Sequence, residues 1–313
     1  MYAVFRKELT DHINSIRFII LFALVLLAAI LTIYYVVIPD IRGAVTADTE
    51  FIFLKIFTVS GESPISLLFL ISLFIPIIGI ALGFDSISGE RVSGNLSRLL
   101  SQPIYRDAVI NGKFLAGLAV LAIIIVSLIA IVSGLGLRII GVPPNSEEVL
   151  RLIVFVLISI VYGAFWMALA VLFSVFSNRA ATSMLASIGL WIFFAFFMSM
   201  IAGAIANAHV PIDSTSTLEM IVQNGQIAGA IARISPCTLY GEAITGLLVP
   251  ELGSLNPAMM LISTLTAGRR LTPLPFGQSL LLVWPQLVSV IALAAICFAV
   301  SYIRFMREEI RAI

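Results

Sequence analysis

Long uncharged stretches separated by short polar segments dominate the pattern of hydrophobic and polar positions. A helix rises about 1.5 Å per residue, so about 20 apolar residues are needed to cross the roughly 30 Å hydrocarbon core of a bilayer. At these lengths only helices satisfy the backbone hydrogen bonds in lipid. The pattern therefore predicts an all-α integral membrane protein with six transmembrane helices, at residues 18–38, 65–84, 114–137, 152–178, 180–208 and 280–303.

Shorter helical segments are predicted outside these spans. Apolar residues at helical spacing near the N-terminus predict an amphipathic helix that lies on the membrane surface. These apolar residues are Phe5, Leu9, Ile13 and Ile16. Segments 220–232 and 252–268 are apolar but short and broken by polar residues, so we interpret them as re-entrant or interfacial helices. Both fall in a region, 209–279, that we place outside the cytoplasm.

The composition agrees with a membrane protein and orients it. Hydrophobic residues make up 60% of the chain and charged residues 11%, against about 25% charged in soluble domains. A net charge of +1 argues against a broad nucleic-acid surface. Most lysines and arginines fall on the side of the two termini, so the positive-inside rule predicts cytoplasmic termini in a multi-pass protein of the plasma membrane.

The most informative polar segment lies between the second and third spans. Leu96, Leu99 and Leu100 share one face of a short predicted helix, and Pro103 ends it. Gly89 and Gly94 precede that helix and permit tight turns. An exposed amphipathic helix of this kind is suited to dock in a groove of a partner protein. The alternative is an ordinary solvated loop.

Residues 89–103, followed by Arg106 and Gly112-Lys113, resemble the hallmark loop of ABC-2-type transporter permeases. Residues 6–9 and 235–243, the latter read as part of an outer loop, are similar to other recurrent elements of that family. The long region between the fifth and sixth spans resembles permeases of the nitrous-oxide-reductase maturation type. The residues matched to ATPase coupling are Gly89, Glu90, Arg91, Gly94, Leu96, Arg98, Leu99, Leu100, Ser101 and Pro103.

The resemblance implies that residues 1–313 form a single ABC-2-type transmembrane domain. Such a chain is the permease subunit of an ATP-driven transporter, expected to be an exporter. A dimer of this chain with a second permease subunit, the same or similar, would form the pathway within membrane lipid. Two copies of a cytoplasmic ABC ATPase subunit would dock on the coupling helix and drive alternating access. No catalytic residue, cofactor or metal is expected in the chain itself.

ATP hydrolysis is expected on another polypeptide because no phosphate-binding loop is present. That loop requires the pattern G-x-x-x-x-G-K-[ST]. The three lysines, Lys7, Lys55 and Lys113, are each followed by a residue other than Ser or Thr. The chain is therefore interpreted as a transporter subunit rather than an enzyme.

A secondary transporter or channel not powered by ATP is the main alternative. Ion-coupled carriers usually place ionisable groups inside the bilayer, and the six predicted spans contain none. Pro76, Gly79 and Gly83 could break the second span at a binding site, but close packing of helices is the favoured reading of the glycine pair. Aromatic residues of the fifth span are read as lipid-facing rather than as a translocation path.

An intramembrane enzyme is the other alternative. The chain has two histidines, His12 and His209, so a zinc site of the H-E-x-x-H type is excluded. Glu147, Glu148 and Arg151 superficially resemble a protease motif. We interpret them instead as charges that flank the start of the fourth span.

Overall fold

The computed structural model describes residues 1–38, 51–59, 66–94, 105–213, 216–251 and 273–307, and these residues form helices and no strand. Six helices are long and apolar enough to cross a membrane, which confirms the predicted architecture. The third runs over Arg106–Ile139, so it begins eight residues before the predicted span. A helix can continue through polar residues beyond the lipid, whereas hydropathy registers only its apolar part.

Twelve α-helices cover the described part of the chain. They are α1 (Tyr2–Ile13), α2 (Ile16–Thr32), α3 (Ile52–Thr58), α4 (Leu67–Gly83), α5 (Ser88–Val92), α6 (Arg106–Ile140), α7 (Ser146–Phe176), α8 (Ala180–Ile192), α9 (Met198–His209), α10 (Leu218–Ala232), α11 (Pro236–Leu248) and α12 (Phe276–Arg307). Single π-helical turns, Ile33–Val37 and Phe193–Phe197, extend α2 and join α8 to α9.

Polar caps decide where several of these helices begin. The hydroxyls of Ser15, Ser66 and Thr217 accept hydrogen bonds from backbone N–H groups in the first turns of α2, α4 and α10. Such caps satisfy donors that the helix itself cannot pair. A glycine marks the end of another helix: α6 stops before Gly141, whose φ of 75° lies in the left-handed region that glycine tolerates.

The N-terminal helix α1 is present where the sequence predicts one, but a different face is buried. Val4 and Glu8 are its buried residues, whereas Ile13 and Ile16 are exposed. Val4 packs against Gly112 of α6, where an added Cβ would lie 3.0 Å from Val4 Cγ1. Contact with α6 therefore selects the buried face, and the location of α1 at the membrane surface stays a prediction.

The helices α10 and α11 occupy most of the described region between the fifth and sixth spans. The first short apolar stretch forms α10, close to the predicted bounds. Placing residues 235–243 in a loop was wrong, because Ser235 caps α11 and Pro236 occupies its first turn. The second stretch, 252–268, lies outside the described residues.

The chain divides into two compact units, and the first comprises Met1–Pro144, Ser159–Gly189 and Ile291–Ile313. In this unit α4 approaches α7 at its two glycines. A Cβ added at Gly79 would lie 2.6 Å from the carbonyl oxygen of Gly163, and one added at Gly83 would lie 2.6 Å from that of Met167. The prediction that these glycines permit close packing is confirmed.

Substituting Gly83 by alanine is expected to destabilise the protein by about 1–3 kcal/mol, the usual cost of overpacking. The added methyl would collide with the backbone of α7, which cannot move aside as a flexible side chain can. Gly134→Ala is the matched control, because nothing lies within 4 Å of a Cβ added at Gly134 of α6. Unfolding by SDS titration in mixed micelles measures both, and equal stabilities would contradict the close approach.

The second unit comprises Asn145–Ile158 and Leu190–Val290. Its interior includes Leu239, Tyr240, Ile244 and Leu247 of α11, all 7% exposed or less. The aromatic residues near the start of α9 lie at the surface: Phe193, Phe196 and Phe197 are each more than 40% exposed. This exposure agrees with the lipid-facing interpretation of the aromatic residues in the fifth span.

Candidate functional site

The candidate site is built around residues 85–94, which we call the anchor segment. It contains the turn after α4, the short helix α5 and the turn that follows. Four predicted coupling residues, Gly89, Glu90, Arg91 and Gly94, belong to it, and Gly94 has a φ of 70°. The other six lie outside the described residues: Leu96, Arg98, Leu99, Leu100, Ser101 and Pro103.

A serine of α7 holds the start of α5. The Ser174 hydroxyl oxygen accepts hydrogen bonds from the backbone N–H groups of Ile87, at 3.1 Å, and Ser88, at 3.0 Å. It also lies 3.0 Å from the Ser88 hydroxyl, and both serine residues are fully buried. A side chain from a distant helix thus satisfies backbone donors that a five-residue helix cannot pair internally.

Arg91 binds the C-terminal end of α7. Its guanidinium donates to the carbonyl oxygens of Val175 and Ser177, each at 3.4 Å, and to Asn178 Oδ1 at 3.2 Å. A cation is favoured there because the last carbonyls of a helix lack intrahelical partners and carry partial negative charge. The predicted coupling arginine therefore contacts its own chain.

An ion-pair triad joins α5, α6 and α1. Lys113 Nζ lies 2.7 Å from Glu90 Oε1 and 3.0 Å from Glu8 Oε1. The side-chain exposure is 7% for Lys113, 11% for Glu8 and 16% for Glu90, so water screens these pairs little. Burial alone would raise the pKa of the Glu8 carboxyl, but Lys113 and Lys7 outweigh it and lower that pKa.

The anchor segment also reaches the start of α2. Asp85 forms an ion pair with Arg17, whose guanidinium in addition lies over the ring of Phe84. His12 of α1 faces the same cluster, and burial lowers its pKa despite the nearby carboxylates Glu8 and Asp85. These groups border a cavity of about 390 Å³ in the first unit.

Sequence reasoning identified the anchor residues but missed most of their partners. Glu8 and Lys113 both lie in stretches that resemble the ABC-2 family, although nothing in either stretch indicates that they meet. The pairing of Lys113 with Glu90 connects residues 23 positions apart, and that of Ser174 with Ile87 connects residues 87 apart. Hydropathy and helical periodicity carry no signal over such separations.

A second polar centre, in the second unit, corrects the interpretation of Arg151 as a flanking charge. Arg151 has no exposed surface. Its guanidinium donates to the carbonyl oxygens of Leu247 and Leu274, both at 2.6 Å, and to the Ser279 hydroxyl at 3.1 Å. Glu147 Oε1 lies 2.7 Å from Arg151 Nη2. Arg151 therefore connects α7, α11, the segment before α12, and α12 itself.

Neither polar centre is arranged for metal chemistry. Within the described ranges, no group of three or more His, Cys, Asp or Glu residues is placed to hold a metal ion. The carboxylates of the anchor region are instead paired with lysine and arginine. Such an arrangement can fix helices to one another and transmit force between them.

Comparison with known proteins agrees with the architecture and with the sequence pattern. A family model described as "ABC-2 family transporter protein" matches residues 2–310. The chain is also 29% identical over 200 residues to a Pseudomonas aeruginosa protein named "Probable ABC transporter permease protein NosY". That match covers 62% of this chain and 66% of the relative, just under two thirds of its length. The chain thus belongs to the ABC-2 family of transporter proteins, and its six candidate spans are those of a multi-pass membrane protein.

Proposed function

We propose that this chain is the permease subunit of an ATP-driven exporter in the plasma membrane, with cytoplasmic termini. Residues 1–313 act as one transmembrane domain that pairs with a second permease subunit, and two copies of a cytoplasmic ABC ATPase subunit drive the pair. The observation that carries the proposal is the fastening of the anchor segment to α1, α2, α6 and α7 by buried or partly buried polar contacts.

The contacts of the anchor segment support a role as a lever. A force on residues 95–104 would reach α7 through Ser174 and Arg91, and α6 and α1 through the Glu90–Lys113–Glu8 triad. Charge-assisted hydrogen bonds are about twice as strong as neutral ones, so such a load displaces the helices together. Nucleotide-driven closure of the ATPase could then move the spans between inward-open and outward-open states.

Exposed apolar residues on both sides of residues 95–104 support a docking surface for the ATPase there. Val92 is 68% exposed and Tyr105 is 83% exposed, and in the sequence they lie before Leu96 and after Pro103, on either side of the predicted leucine-faced helix. Aromatic and apolar residues are typical anchors of protein interfaces. We assign ATPase coupling to the ten residues named from the sequence, with Leu96, Leu99 and Leu100 as the inserted apolar face.

Crosslinking to the copurifying ATPase tests this proposal. Cysteine is introduced at Ser93, an exposed residue of the anchor segment, after Cys237 and Cys297 are replaced by serine. We expect Ser93→Cys to crosslink to the ATPase through a short bismaleimide. Val142→Cys, which is exposed between α6 and α7 on the opposite predicted side, should not. A crosslink from position 142 alone, or transport at full rate without an ATPase, would overturn the proposal.

The same complex allows a second readout. Changing both Leu99 and Leu100 to alanine is expected to abolish ATP-driven transport while membrane insertion persists. Ile19 and Ile20, an adjacent exposed aliphatic pair of α2, provide the matched double substitution, which should retain transport. Normal transport in the Leu99/Leu100 variant would remove the coupling assignment and leave the family membership intact.

A further inference from the structure

The C-terminal part of α12 packs against the first unit through one aromatic face. Phe298, Tyr302 and Phe305 follow one another at spacings of four and three residues, so they share one side of the helix. Phe305 is 1% exposed, and no other apolar residue of positions 291–307 is buried. The apolar attachment of this stretch to the described part of the first unit therefore concentrates on these three side chains.

The aromatic face belongs to the same apolar cluster as the anchor segment. The buried members of this cluster come from four elements and are Ile87 of the anchor segment, Val109 and Ile110 of α6, Val171 and Val175 of α7, and Phe305 of α12. Phe298 and Tyr302 pack against the cluster, and the ring centroid of Phe298 lies 4.3 Å from that of Phe114. Close-packed interiors have low compressibility, so a displacement of one member is passed to the others.

Ile87 connects this cluster directly to the coupling region. It is fully buried and immediately precedes α5, and its backbone N–H donates to the Ser174 hydroxyl. One residue is thus held twice, by its side chain in the cluster and by its N–H at α7. A movement of the anchor segment consequently displaces Ile87 and the apolar cluster that contains Phe305.

A second contact brings α12 to the end of α7 that Arg91 binds. The Arg304 guanidinium lies over the ring of Phe176, with its Cζ atom 5.6 Å from the ring centroid, and such a cation–π contact is attractive. The carbonyl oxygens of Val175 and Ser177, on either side of Phe176, accept hydrogen bonds from Arg91. The anchor segment and α12 therefore hold the same end of α7.

We propose that Phe305 is the positioning residue through which the anchor segment moves the C-terminal part of α12, with Arg304 as the second contact. The inference rests on the proposed coupling function, and it extends the path of the load from α1, α2, α6 and α7 to the last span. A residue that only stabilises the fold would not make α12 respond to the nucleotide bound by the ATPase, so the two roles differ in a measurable way.

Site-specific fluorescence of the purified complex with its ATPase tests the inference. Bimane is attached either to Val300→Cys, at a position 42% exposed on α12, or to Ser93→Cys, after Cys237 and Cys297 are replaced by serine. Addition of ATP and orthovanadate should change the emission at both positions in the otherwise unmodified chain. With Phe305→Ala, the response at position 300 should be lost while the response at position 93 persists.

Three variants separate positioning from folding. Phe305→Leu keeps a bulky apolar side chain and should retain the response at position 300. Ile303→Ala, which shortens a side chain 50% exposed on the same helix, is the matched control and should also retain it. Arg304→Gln removes the contact with Phe176 at an exposed position, so it should weaken the response even if Phe305→Ala does not fold. Thermal unfolding of each variant verifies that it is folded.

The outcomes distinguish this inference from the coupling function on which it rests. A response at position 93 without one at position 300 in the otherwise unmodified chain would overturn the inference alone. A full response at position 300 in Arg304→Gln and in every folded Phe305→Ala sample would do the same. Absence of any response at position 93 would contradict coupling at the anchor segment and would remove this inference with it.

Discussion

Replacing Lys113 with methionine is expected to lower the free energy of unfolding by about 3–5 kcal/mol, the usual effect of removing one partner from a buried ion pair. Methionine fills similar space but leaves Glu8 and Glu90 facing each other without a cation. Both carboxylates are at most 16% exposed, so water can compensate little of the lost charge. The variant should also lose ATP-driven transport, because α5 is then no longer tied to α6 and α1.

Lys7 provides a matched control for this prediction. Its ammonium also contacts Glu8, at 3.2 Å, but its side chain is 58% exposed. Lys7→Met should therefore cost less than about 1 kcal/mol, as exposed ion pairs usually do. The triple variant that adds Glu8→Gln and Glu90→Gln to Lys113→Met should recover part of the loss. SDS titrations that show equal effects of Lys7→Met and Lys113→Met would contradict the buried triad.

Replacing Arg151 with methionine is expected to destabilise the second unit by a comparable amount, about 3–5 kcal/mol. The guanidinium is the donor to the carbonyl oxygens of Leu247 and Leu274, and its removal leaves both acceptors without that donor in a buried setting. Glu147 would also lose its ion pair. Each loss acts in the same direction, because buried polar groups without partners are unfavourable.

Two variants sharpen this prediction. Arg151→Lys keeps the charge but cannot reproduce the planar arrangement of donors, so it should be intermediate in stability. Arg138→Met, at an exposed position near the end of α6, should change stability by less than about 0.5 kcal/mol. Limited proteolysis in the region between α11 and α12 would report local loosening in Arg151→Met. Equal protection in Arg151→Met and Arg138→Met would show that Arg151 does not hold these elements.

The six spans could be predicted because each depends on a local property. A stretch of about 20 uncharged residues must be helical in lipid whatever its neighbours are. The same dependence on local hydropathy explains why the predicted start of the third span and the predicted loop at residues 235–243 were inaccurate. The helix α6 begins at Arg106 because polar residues extend it beyond the apolar part, and α11 depends on a cap at Ser235 that hydropathy does not register.

The anchor segment was predicted in part: its residues could be identified from the sequence, but their contacts could not. Its glycines, Glu90 and Arg91 were identified by resemblance to a family, and Gly94 has the left-handed conformation that its residue type permits. The sequence also predicted the purpose of Gly79 and Gly83, since small residues on a membrane helix commonly permit close approach of another helix. It did not indicate that α7 is the helix which approaches.

By itself, the sequence determined that lipid is the main solvent of this protein and that six of its helices are candidate spans, and it predicted the segment that couples to an ATPase. Only the tertiary structure decided that Lys113 joins two carboxylates, that Arg151 is buried, and that Glu8 rather than Ile13 faces inward on α1. The physical reason is that burial in lipid depends on the composition of each segment. The pairing of charges depends instead on which helices pack together, and residues distant in the chain carry no local pattern for it.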